Sequence, residues 1–172
     1  MKADSWILRD LPKLLVDDWY KLLISTEFDV QVAAYHHLRK AYDRDRHLQW
    51  RIRAQPLLKV RGGEVKPDIV IYKGTILYDV IEIKCLLDGF SWTRIEQDLK
   101  KFRTLQTSEG LRHAYMLVVY DDDVVAGLQG RDKDPWMKNF LTFVGANVRR
   151  SATGRLRAHY ASTRRRWTKY YR

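Results

Sequence analysis

The sequence predicts an α/β domain. Three observations carry that reading: helical apolar periodicity in the first forty residues, strand-like segments joined at Gly74, and an unbroken apolar run from Ala114 to Tyr120. At 172 residues, 45% of them hydrophobic, the chain is the size of one domain and can bury a core without disulfides. Its single cysteine, Cys85, lies in an apolar segment and reads as a small buried hydrophobe in a reducing compartment. No stretch approaches about 18 consecutive apolar residues, and Asp4, Arg9 and Asp10 interrupt any signal-peptide core. The expectation is a soluble cytoplasmic protein with no membrane partner.

The elements follow in order. Residues 12–24 read as a helix started by Pro12, with Asp17 and Asp18 fitting helix or turn. A second helix begins after Ser25-Thr26, which can cap it, and places Val30, Ala33, Ala34, Leu38, Ala41 and Tyr42 at helical spacing. Glu27 stands in its first turn and Gln31 one turn later on the same face. Residues 48–58 are strand-like, with Trp50, Ile52 and Ala54 alternating against Arg51 and Arg53. Residues 68–72 and 75–85 form two further strands of a hairpin, with Gly74 supplying the positive φ of the turn. Ser91 can cap a helix over 92–105 that turns Ile95, Leu99 and Phe102 inward. Residues 114–120 make an interior strand. Asp121-Asp122-Asp123 ends it in a solvated loop, and residues 135–148 suggest a last helix.

Charge is distributed unevenly. Residues 149–172 hold nine of the 32 Lys and Arg residues and no Asp or Glu, leaving 23 basic against 21 acidic residues before them. A neutral body with a cationic end is an electrostatic handle for a polyanion, most commonly nucleic acid. Arg164, Arg165, Arg166, Trp167 and Lys169 are the residues expected to hold phosphates and stack bases. An ordinary C-terminal element packing its aromatics fits the same residues, so 1–148 is read as one domain and 149–172 as part of it or a tail.

The segment with most chemical content is Pro67-Asp68, followed by the hairpin and by Glu82-Ile83-Lys84. In a strand, side chains alternate, so Glu82 and Lys84 share one face while Ile81, Ile83 and Cys85 fill the other. Antiparallel pairing in the right register brings Asp68 close to Glu82. Two carboxylates suit Mg²⁺ or Mn²⁺, hard cations that take oxygen ligands and keep exchangeable waters. An adjacent ammonium can orient a water or neutralise developing charge. Asp79 is out of phase with this pair and is read as structural or edge-exposed. The five histidines are dispersed, and adjacent His36 and His37 point about 100° apart on a helix, which argues against shared zinc.

Pro67-Asp68…Glu82-Ile83-Lys84 resembles the PD-(D/E)xK nuclease superfamily over roughly residues 25–120. The resemblance implies a restriction-endonuclease-like core, in which a mixed central sheet flanked by helices follows an αβββαβ order. It implies metal ligands at Asp68, Glu82 and the backbone carbonyl of Ile83, a Lys84 that serves the attacking water, and Glu27 as a further acidic ligand. Gln31 and Gln97 become candidates to line the site. The Gln-xxx-Tyr motif of RecB-like members is not kept, since Lys101 stands four residues after Gln97. The implied activity is Mg²⁺- or Mn²⁺-dependent hydrolysis of DNA phosphodiesters by an endonuclease, and by analogy a homodimer. The competing expectations are a non-catalytic nucleic-acid-binding module of the same fold and an RNA-directed nuclease.

Overall fold

The computed structural model describes residues 3–21, 23–43, 49–86, 92–111, 113–120, 141–147, 157–160 and 168–169. Strand β5 (Ile76–Leu86) is its centre, antiparallel to β4 (Ile69–Lys73) on one side and parallel to β6 (His113–Tyr120) on the other. β1 (Trp50–Ala54) pairs antiparallel with β4. Beyond β6 follow β7 (Leu141–Asn147), parallel to it, then β8 (Arg157–Tyr160) and β9 (Thr168–Lys169), both antiparallel to their neighbours. The sheet is therefore mixed, in the order β1-β4-β5-β6-β7-β8-β9, and the α/β class holds.

Two apolar layers sandwich it. On one face Ile7, Leu11 and Leu15 of α1 (Ala3–Tyr20) and Val30, Ala34 and Leu38 of α2 (Glu27–Asp43) pack on Ile69, Ile71, Ile81, Ile83, Tyr115, Leu117 and Val119. On the other, Ile95, Leu99, Phe102 and Leu105 of α3 (Trp92–Glu109) pack on Val70, Val80, Ala114, Met116 and Val118. β6 alternates between the two layers. Both its faces are buried, which is why its sequence shows no polar alternation.

Several boundaries differ from expectation. The first helix starts at Ala3, with Pro12 inside it. The buried stripe Ile7–Leu11–Leu15, at four-residue spacing, offsets the hydrogen bond that proline cannot donate. The strand expected over 48–58 is split. β1 ends at Ala54, Gln55 takes φ 46°, and a separate two-stranded hairpin forms from β2 (Leu58–Val60) and β3 (Gly63–Val65). Leu58, Val60 and Val65 cover the α3 side of the core. The last helix expected over 135–148 is a strand over 141–147, where β-branched Thr142 and Val144 flank Phe143 and extend the sheet beyond β6. Residues 135–140 of that segment, Ser91 and Asp121-Asp122-Asp123 lie outside the described residues. The cap of α2 is as expected: Thr26 Oγ1 accepts from Asp29 N–H (3.1 Å), and Asp29 Oδ2 accepts from the N–H groups of Ser25 and Thr26 (3.0 Å each).

The β4–β5 hairpin turns at Gly74, whose φ is 64° and whose N–H donates to the Gln49 carbonyl. Its register slips once, where Ile71 pairs with Asp79 but Tyr72 pairs with Leu77, leaving Tyr78 as an extra residue. The bulge reverses the parity of β5. Leu77 faces the α3 layer before it, and Val80 faces that layer after it. Without the bulge, Ile81 and Ile83 would turn toward α3, and Glu82 and Lys84 into the apolar α1–α2 layer.

Candidate active site

β4 is shorter than β5. Its last ladder pair is Ile69 with Ile81, so residues 82–86 of β5 pair with β6 alone. The N–H and C=O of one strand residue point to the same side, alternating along the chain, so Ile83 and Cys85 present theirs to the space that β4 vacates. Two carboxylates fill it. Asp68 Oδ2 accepts from Ile83 N–H at 2.7 Å, and Glu27 Oε2 accepts from Cys85 N–H at 3.0 Å. The carbonyl of Ile83 opens onto the same notch.

Asp68 is one step beyond Ile69, in line with Glu82, and the two carboxylates act on each other's charge. Burial raises the Asp68 pKa above the usual carboxylate value. The Ile83 N–H, the charges of Lys101 and Lys84 and a hydrogen bond with Glu82 oppose that shift. Glu82 is fully buried and its pKa lies well above the ordinary value, first through desolvation and then through the charges of Asp68 and Asp98, with Lys101 opposing. Glu82 Oε2 accepts from Lys101 Nζ at 3.0 Å, whereas buried Oε1 meets no donor N–H among the described residues.

Lys84 is 9% exposed, with Nζ 2.8 Å from Asp98 Oδ2 and 3.7 Å from Glu27 Oε1. Its approach to Asp98 is an ion pair whose angle falls outside hydrogen-bond geometry. Lys101 Nζ lies 2.8 Å from the other oxygen of Asp98, Oδ1. Burial works against the charge on Lys101, but Glu82 and Asp98 outweigh it and raise its pKa. Glu27 Oε2 also pairs with Arg94 Nη2 at 3.1 Å. Gln31 Nε2 donates to the Asp68 carbonyl (3.2 Å) and lies 3.4 Å from Asp68 Oδ1, while its Oε1 accepts from Gln55 Nε2 at 2.8 Å. The Gln55 N–H returns to the Asp68 carbonyl at 2.7 Å.

Of the residues singled out in the sequence, Asp68, Glu82, Ile83, Lys84, Glu27 and Gln31 converge. Gln97 does not: it is exposed on α3, because the neighbouring positions Asp98 and Lys101, one turn apart, take the inward face. Glu27 reaches Lys84, Arg94 and the Cys85 amide rather than a carboxylate cluster. Asp79 is buried, 3.6 Å from His113 Nδ1, not edge-exposed. Arg164, Arg165, Arg166 and Trp167 lie outside the described residues, and Lys169 falls in β9. Sequence reasoning missed Asp98, Lys101, Arg94 and Gln55. The spacing of Asp98 and Lys101 was a signal for the first two, whereas Gln55 had none.

Among the described residues, no group of three or more His, Cys, Asp and Glu side chains forms a metal cluster. The donor set of Asp68, Glu82 and the Ile83 carbonyl nonetheless fits a hard cation. It is all oxygen, its two acids are pressed together with raised pKa values, and Glu82 Oε1 is buried without a donor. A divalent ion would relieve both the repulsion and the orphaned oxygen.

No protein-family model matches the chain, and no curated protein does. A solved protein of unknown function, AF1548, is similar over 64% of this chain and 55% of its own, with 11% identity and a TM-score of 0.41. The chain thus spans just over half of that protein, and likeness at this level carries nothing about activity. No helix among the described residues is long and apolar enough to cross a membrane.

Proposed function

We propose that this chain is a metal-dependent nuclease of the PD-(D/E)xK type, with a restriction-endonuclease-like core, that hydrolyses DNA phosphodiester bonds. The observation that carries the reading is the notch beside β5. Asp68 binds the Ile83 amide there beside Glu82, strand geometry turns the Ile83 carbonyl to the same side, and Lys84 enters from the next position on the Glu82 face. Asp68 and Glu82 would hold Mg²⁺ or Mn²⁺ with the Ile83 carbonyl as third oxygen. A divalent cation so held supplies polarisation of a phosphate oxygen and acidification of a bound water. The Lys84 ammonium would orient the attacking water and offset charge developing on the phosphate. Glu27 and Asp98 flank that ammonium and direct it, and Gln31, braced by Gln55, fixes the Asp68 backbone.

A polyanionic substrate is supported by the surface beside the notch. Arg51, Arg53, Lys59, Arg61, Lys66 and Lys73 are all exposed on β1, the β2–β3 hairpin and the adjoining loops. Arg51 and Arg53 sit over the Tyr72 ring at 5.7 and 5.9 Å, on the sheet face that carries Glu82. Such a surface suits the phosphate backbone, which dominates nucleic-acid affinity.

The test is incubation of the purified protein with plasmid DNA and Mg²⁺ or Mn²⁺. The expected result is nicking or cutting by the wild type and loss of it in Glu82→Ala and Lys84→Ala variants that remain folded by circular dichroism. Cleavage surviving in either variant sinks the assignment.

A further inference from the structure

Lys84 is anchored by a residue outside the Asp68–Glu82–Lys84 set. The ammonium that the nuclease reading places on the water does not rest on Asp68 or Glu82. Its nearest acid is Asp98 at 2.8 Å, and the same carboxylate meets Lys101 Nζ at 2.8 Å through its other oxygen. Asp98 is 3% exposed. A buried carboxylate in a site already holding Asp68 and Glu82 adds to the repulsion there, so only its two cations make it tolerable. Each of them leads elsewhere: Lys101 continues to Glu82 Oε2, leaving Oε1 turned away from it, and Lys84 continues to Glu27 Oε1 at 3.7 Å.

The order along α3 suits this arrangement. Asp98 and Lys101 are one turn apart on one face, and Leu99 and Phe102, each one residue further round, lock the helix into the core. The helix is thereby a rigid mount, and both ammoniums are referenced to one point on it.

We infer that Asp98 is the positioning residue of this site, a clamp that holds Lys84 and Lys101 at fixed places on either side and, through Lys101, sets which oxygen of Glu82 remains open. Its catalytic half rests on the nuclease reading, whereas the clamp itself is a statement about two ammoniums and one carboxylate. Asp98→Asn preserves shape and removes the charge.

Two measurements test it. In ¹⁵N spectra of the lysine ammonium groups, assigned by their loss in Lys84→Arg and Lys101→Arg, both signals are expected to move in Asp98→Asn and neither in Gln97→Asn. A signal that stays in place for either lysine in Asp98→Asn overturns the clamp, whether or not the protein cuts DNA. In cleavage assays, Asp98→Asn is expected to lower kcat on the order of 100-fold, the scale of a misplaced catalytic group, with KM for DNA and Mn²⁺ affinity held. Unchanged kcat, or a loss confined to KM or Mn²⁺ affinity, overturns the positioning role. A wild type that cuts nothing removes the nuclease reading and leaves the spectra to decide the clamp. Should Asp98→Asn not fold, Asp98→Glu takes its place in the spectra: the charge on a longer arm displaces both ammoniums, and unmoved signals overturn the inference.

Discussion

The two halves of β5 obey different rules. From Ile76 to Ile81 the strand runs along β4, and from Asp79 to Ile81 it is paired on both sides, by β4 and β6. From Glu82 to Leu86 it is paired by β6 alone, and Ile83 and Cys85 find carboxylates where a neighbouring strand would lie. Past the bulge, Val80 and Ile81 of the first half are fully buried core residues. In the second, Glu82 to Lys84 are also buried, yet charge concentrates there, because acids that satisfy a backbone N–H keep a second oxygen for something else. A site of this kind needs only a neighbour that stops early and an acidic residue, here Asp68, at the stopping point.

The contrast can be broken from either half. The largest effect is expected at Lys84, in the unpaired half: Lys84→Ala should reduce cleavage about 10²- to 10⁴-fold while thermal unfolding shows a folded protein. In the paired half, Ile81→Ala should do the reverse. Ile81 is fully buried between β4, β6 and the α1–α2 layer, and the cavity should cost about 2–5 kcal/mol in denaturant unfolding. Comparable stability losses at both positions would erase the distinction.

Next in size is a dependence on pH. Glu82 and Asp68 have raised pKa values, so the folded protein binds their protons more tightly than the unfolded chain does. Their contribution to metal-free stability is then fully present at acid pH and is lost as pH rises from the ordinary carboxylate range, about 4, through the raised values. Melting curves with and without Mn²⁺ check this. Added ion should restore stability on the alkaline side, and Glu82→Gln should flatten the metal-free dependence. A metal-free Tm that rises across that window specifically through Glu82 would contradict the repulsion between Glu82 and its acidic neighbours.

The smallest effect concerns how Glu27 reaches the unpaired half. Thr26→Ala removes the cap of α2 and should cost about 1 kcal/mol in denaturant unfolding, with a modest loss of cleavage, since the helix start sets where Glu27 meets Cys85. A full loss of cleavage would give the cap a larger part than the geometry suggests.

Much of the site was legible along the chain because it rests on local rules. Strand alternation alone placed Glu82 with Lys84 and apart from Asp79, and helical spacing alone placed Glu27 with Gln31. The cap at Thr26 and the turn at Gly74 are written in residue types whose backbone preferences are strong. Gln97 was misplaced because its face depends on how α3 is rotated against the sheet, and that rotation is set by Ile95, Leu99, Phe102 and Leu105 together. The strand at 141–147 was misread because its hydrophobic run fits helix or strand, and the open side of β6 decided between them.

By itself, then, the sequence determined the α/β class, the hairpin around Gly74, and the pairing of an acid with a lysine on one strand face. Those follow from periods of 3.6 and 2, which any short segment carries within itself. Only the tertiary structure decided that the bulge at Tyr78 turns Glu82 and Lys84 toward α3, that β4 stops one residue short of Glu82, and that Asp98 and Lys101 meet them there. These depend on register and helix rotation, quantities fixed by packing between elements distant in the chain and therefore written in no single segment of it.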